Sequence, residues 1–87
     1  MLEKVIQTRI KKKLEEKGYL VVKLINTNCN GIPDLMCLKN GKAIFIEVKQ
    51  PTGVLSELQK LRIKQLTDLG FECKVWTDYE VDFMLKN

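Results

Sequence analysis

The sequence predicts an α/β fold, a mixed four-stranded sheet flanked by helices, and three observations carry that reading. Apolar residues at helical spacing open the chain, an Asn-Gly pair separates two apolar runs, and a capped helix divides the second run from a fourth. With 87 residues there is room for a single domain spanning 1–87. A chain this short buries only somewhat more than about 60% of its unfolded surface, so no large enclosed cleft is expected.

Leu2, Val5, Ile6, Ile10 and Leu14 recur at helical spacing among charged residues, and Gly18 follows as a stop. Tyr19 to Ile25 is rich in β-branched and aromatic residues and reads as a strand. It runs into Asn26-Thr27-Asn28-Cys29-Asn30-Gly31, a polar stretch suited to a loop. Asp34 to Lys39 and Lys42 to Lys49 are two further strands, joined at Asn40-Gly41, the sequence that best suits a two-residue type I′ hairpin. After the break at Pro51-Thr52-Gly53, Ser56-x-x-Gln59 has the form of a capping box. The helix it opens is expected to turn Leu58, Leu61, Leu66 and Leu69 inward and to end at Gly70. Phe71 to Trp76 is the fourth strand, and Thr77-x-x-Glu80 caps a short last helix with Val81, Met84 and Leu85. In the order α-β-β-β-α-β-α, a helix between the third and fourth strands calls for a parallel crossover, while the first three strands suit an antiparallel meander.

Composition removes whole classes of chemistry. There is no histidine, which excludes His-ligated zinc, Ser-His-Asp triads and any imidazole base. Three scattered cysteines, Cys29, Cys37 and Cys73, form no C-x-x-C pair and read as reduced thiols. No apolar stretch is long enough to cross a bilayer and no secretory leader is visible, so an intracellular, cytoplasmic protein with no membrane partner is expected. The net charge of +4 suits a phosphate-rich partner, although many small proteins are equally basic.

The hairpin concentrates the polar chemistry. If the Asn40-Gly41 loop has two residues, Lys39 faces Lys42, and stepping outward sets Asp34 directly opposite Glu47. Alternation then places Asp34, Met36, Leu38, Ala43, Phe45, Glu47 and Lys49 on one face, with Leu35, Cys37, Ile44, Ile46 and Val48 on the other. Opposed Cβ atoms stand roughly 4.5 to 5.5 Å apart, and like charges there are destabilising. At about 5 Å and an effective dielectric near 20, two carboxylates repel by roughly 3 kcal/mol. Lys49 offsets part of this, and a hard divalent cation bound by oxygen ligands would offset more. A lone Glu-x-Lys triplet is common on solvated sheet edges, and an Asp after a Pro is an ordinary turn residue. Here both occur in register inside apolar runs where charge is otherwise avoided.

Gly31-Ile32-Pro33-Asp34 followed by Glu47-Val48-Lys49 resembles the PD-(D/E)XK nuclease superfamily. With Glu3 in the first helix and Gly53-x-x-Ser56-x-x-Gln59 after the lysine, the chain is similar, over nearly its whole length, to the VRR-NUC (virus-type replication-repair nuclease) branch in its stand-alone form. The resemblance implies a restriction-endonuclease-like α-β-β-β-α-β core and a Mg²⁺-dependent deoxyribonuclease, with Mn²⁺ able to substitute and no organic cofactor. It implies that Asp34, Glu47 and the Val48 carbonyl ligate the metal, with Glu3 completing the acidic cluster directly or through water. Lys49 would contact the scissile phosphate and orient or help deprotonate the attacking water. Gln59 would donate a hydrogen bond near the nucleophile, though at the third position of a capping box it has a structural job as well. Glu3, in the first turn of a helix, likewise favours the helix dipole in any protein. Gly31 suits a loop that approaches a phosphate backbone closely.

Lys11, Lys12, Lys13, Lys17, Lys60, Arg62 and Lys64 are candidate phosphate contacts, or simply solvated helix faces. No base-reading element is evident, so recognition of DNA shape is expected, as in a Holliday-junction resolvase. Symmetric cutting of two strands by so small a domain calls for a homodimer. A monomer would favour a flap or single-strand nicking nuclease, bacterial or phage-encoded, and a non-catalytic nucleic-acid-binding module with the same fold is the alternative from another class.

Overall fold

A computed structural model describes residues 3–77 of the chain. The elements are α1 (Glu3–Glu16), β1 (Leu20–Lys23), β2 (Leu35–Lys39), β3 (Lys42–Val48), α2 (Glu57–Asp68) and β4 (Glu72–Trp76). The expected last helix, with Val81, Met84 and Leu85, lies outside the described residues, as does Leu2. The sheet order is β1-β2-β3-β4, with β1–β2 and β2–β3 antiparallel and β3–β4 parallel. The meander and the crossover through α2 are thus both present, and the fold is the expected α/β arrangement.

The hairpin register is the one the turn dictates. Lys39 faces Lys42 and Leu35 faces Ile46. Asn40 and Gly41 both have positive φ, 52° and 74°, as a type I′ turn requires at its two central positions. Leu35, Cys37, Ile46 and Val48 consequently point to one side and are buried. There they meet Ile6, Ile10 and Leu14 of α1, together with Val21 and Trp76, in the hydrophobic core. Ile6, Ile10 and Leu14 are four residues apart and form a single stripe, whereas Val5, also expected to pack, is 51% exposed. The end of α1 is closed by Gly18 N–H to Glu15 O and Tyr19 N–H to Leu14 O, the paired bonds of a Schellman motif.

The opposite face differs from expectation. The capping box of α2 is present, yet the helix has no buried residue. Of the four leucines expected to turn inward, Leu58, Leu61 and Leu69 are 39%, 46% and 74% exposed, and Leu66 alone is half-buried. The physical reason is the orientation of the helix: its half-buried positions are Gln59, Arg62, Ile63 and Leu66, so that a partly polar stripe faces the sheet, where Gln59 meets Glu47. Phe45 and Phe71 supply apolar packing on this side, edge to face at 5.6 Å. The three cysteines are free; burial pushes the Cys37 thiol up to about 11, which keeps it protonated in the core.

Candidate active site

Pro33 is fully buried and β2 begins two residues after it, so that Asp34 stands at the mouth of the strand. Two neighbours fix it. Its carbonyl accepts the Leu24 N–H at 2.8 Å, extending the β1–β2 ladder by a step, and its Oδ2 accepts the Val48 N–H at 2.8 Å. The second bond takes the place of a ladder bond. Continuing the hairpin register sets Pro33 opposite Val48, and proline has no N–H to give the Val48 carbonyl. One main-chain oxygen is thereby left without a ladder donor from that neighbour, next to Asp34.

Glu47 projects from β3 on the same face as Asp34 and is only 2% exposed. Burial first, and then the Asp34 carboxylate, push its carboxyl from 4.5 up to about 7, against the lowering influence of Lys49. Proton sharing with Asp34 and the more remote charge of Glu3 add to the rise. The sequence-level expectation that two acids would be crowded together therefore holds. Lys49 Nζ is 3.7 Å from Glu47 Oε2, and the lysine side chain is itself only 14% exposed. The turn after it presses on its stem: a Cβ on Gly53 would stand 3.3 Å from Lys49 Cδ and 3.1 Å from the Gln50 carbonyl oxygen.

Gln59 does two jobs at once. Its backbone N–H donates to Ser56 Oγ at 3.1 Å while its Oε1 accepts the Ser56 N–H at 2.9 Å, completing the capping box. With Oε1 committed as acceptor, Nε2 faces the sheet and donates to Glu47 Oε2 at 3.2 Å. The structural and site readings of this residue are therefore compatible.

Glu3 is exposed in the first turn of α1, and its effect at Glu47 is the weakest of those that shift it. Among the described residues no three of His, Cys, Asp and Glu stand close enough to hold a metal ion together. The pair still suits a hard cation, since Mg²⁺ commonly takes one or two carboxylates and fills its octahedron with water and phosphate oxygens. Of the basic candidates, Lys11, Lys60 and Lys64 pair with Glu15, Glu57 and Asp68 of their own helices. Arg62 is turned onto the protein, its Nε donating to the Asn30 carbonyl at 2.7 Å. Reading by residue type missed that contact, which joins residues 32 positions apart in the chain.

Asp34, Glu47 and Lys49 thus gather beside the hairpin of an α/β domain, with Gln59 of the capped crossover helix on Glu47. The VRR-NUC domain profile matches residues 2–77, and the chain belongs to the VRR-NUC family, a nuclease-type domain. A solved VRR_NUC domain superposes with a TM-score of 0.84 at 27% identity, covering 98% of this chain and 95% of its own. A second, a VRR_NUC domain protein, gives 0.77 at 17% identity over 97% and 85% of the two chains, a likeness of fold alone. No curated protein sequence matches. Among the described residues no helix is long and apolar enough to cross a membrane.

Proposed function

We propose that this protein is a Mg²⁺-dependent endonuclease that hydrolyses DNA phosphodiester bonds, acting on branched DNA as a homodimer. The observation that carries the reading is Glu47, a carboxyl 2% exposed and set beside a second acid and a lysine. Burying such a group beside another acid works against the stability of the fold, and its raised pKa marks it as a functional-site candidate.

Asp34, Glu47 and the Val48 carbonyl would hold the cation. When bound, the ion lowers the pKa of a coordinated water and neutralises charge on the phosphate. Hydrolysis forms a bond from water oxygen to phosphorus and breaks the phosphorus–ester oxygen bond. One proton leaves the water and one reaches the departing oxygen from solvent. Lys49, whose ammonium can only donate, contacts a non-bridging phosphate oxygen and orients the water. Gln59 keeps Glu47 turned towards the cluster through Nε2. Glu3 acts at one remove, through water and through its charge.

The test is incubation with four-way-junction, flap and linear duplex DNA in Mg²⁺, Mn²⁺ or EDTA, beside Asp34→Ala and Lys49→Ala. Metal-dependent cleavage, lost in both variants and strongest on the junction, is the expected result. Cleavage that survives EDTA or either substitution overturns the mechanism, and preference for the flap or for nicking one strand replaces the resolvase form with that activity.

A further inference from the structure

The loop from Asn26 to Pro33 delivers Asp34, and α2 grips it at two adjacent residues. Arg62 Nε donates to the Asn30 carbonyl at 2.7 Å. Its Nη1 donates to Gln65 Oε1 at 2.9 Å, which fixes the guanidinium plane on its own helix. One residue further, Gly31 (φ +81°) lies so close to α2 that a Cβ there would stand 2.7 Å from Leu58 Cγ and 3.2 Å from the Leu58 carbonyl carbon and oxygen. No side chain fits that contact without displacing the helix or the loop.

The same helix reaches the other acid, through Gln59 Nε2 on Glu47. No residue of α2 is fully buried, and of its apolar residues only Ile63 and Leu66 are half-buried, so apolar packing constrains its position weakly. Its position relative to the loop is set by contacts such as these, and a charge-assisted bond to a carbonyl is among the stronger ones available.

The geometry points to Arg62 as a positioning residue that, by holding the Asn30 carbonyl against α2, sets where Asp34 stands relative to Glu47. Its catalytic consequence rests on the nuclease reading above, whereas its structural consequence can be observed without any cleavage. The competing role for an arginine on a nucleic-acid-binding surface is direct phosphate contact. Two of the guanidinium nitrogens already donate to protein oxygens, which favours the positioning role.

Arg62→Lys separates the two roles. Lysine keeps the charge but places a methylene where Arg62 has Nε, so the bond to Asn30 is lost while attraction to phosphate is retained. The Val48 amide, whose N–H donates to Asp34 Oδ2, reports the position of Asp34 directly. In metal-free protein, the Val48 amide resonance in Arg62→Lys and in Arg62→Met should shift and exchange faster than that of Phe45 in the same strand. With DNA, kcat should fall about tenfold or more in both variants, because small misplacements at a reacting centre are costly. KM and its salt dependence should stay within about twofold. An unmoved Val48 amide, a defect confined to KM and to Arg62→Met, or loss of the fold in both variants would each overturn the proposal. If the unaltered protein cleaves no DNA, the nuclease reading fails, and the Val48 amide still decides the role of Arg62.

Discussion

In the metal-free protein the Glu47 carboxyl is raised from 4.5 to about 7, and the folded chain therefore holds a proton that the unfolded chain releases much earlier. The resulting stability is complete below about pH 4.5 and is lost as pH rises to about 7, so the apo protein should melt at a higher temperature at pH 5 than at pH 8. Scanning calorimetry across that range checks this, with saturating Mg²⁺ expected to flatten the difference by favouring the ionised pair. Glu47→Gln should act in the same direction. The amide still accepts from Gln59 but carries no charge beside Asp34, so metal-free stability at pH 8 should rise, each kcal/mol appearing as roughly 4 to 8 °C in Tm for a domain of this size. Activity should nevertheless fall by about a hundredfold or more, as for loss of other preorganised groups at a reacting centre. Gain of stability with loss of function is the mark of a site held at the expense of the fold.

The elements differ in how much of them the sequence discloses. The hairpin could be read to the residue, because a two-residue turn fixes the register and alternation then fixes every face; Asp34 and Glu47 fell together for that reason alone. The stripe on α1 was nearly as plain. For α2 the leucine spacing identified a helix correctly but not its inner face, because the stripe turned to the sheet, Gln59, Arg62, Ile63 and Leu66, is partly polar where it meets Glu47. Arg62 and Asn30 are 32 positions apart, and no local pattern announces a contact of that kind. The capping box gives a prediction at this scale. Ser56→Ala removes one acceptor at the start of α2 and should cost roughly 1 kcal/mol in denaturant melts. The Ser56 backbone N–H still binds Gln59 Oε1, so cleavage below the melting range should stay within about threefold of the unaltered protein, whereas Gln59→Ala loses the cap and the Glu47 contact together.

For the whole molecule, the side of the sheet opposite α1 is incompletely covered, with Leu20 63% exposed on β1 and Leu58 and Leu61 partly open on α2. The proposed dimer would cover some of this exposed apolar surface. Size-exclusion chromatography with light scattering should give twice the chain mass at micromolar concentration, and a strict monomer would remove the resolvase form of the function while leaving the chemistry intact. That chemistry depends on one physical fact, the enforced closeness of Asp34 and Glu47. Calorimetric titration of Mn²⁺ into the apo protein near pH 7 tests it most directly. Saturable binding with net release of a proton, absent in Asp34→Asn and in Glu47→Gln, is the predicted result; equal binding in those variants, or none in the unaltered protein, would contradict it.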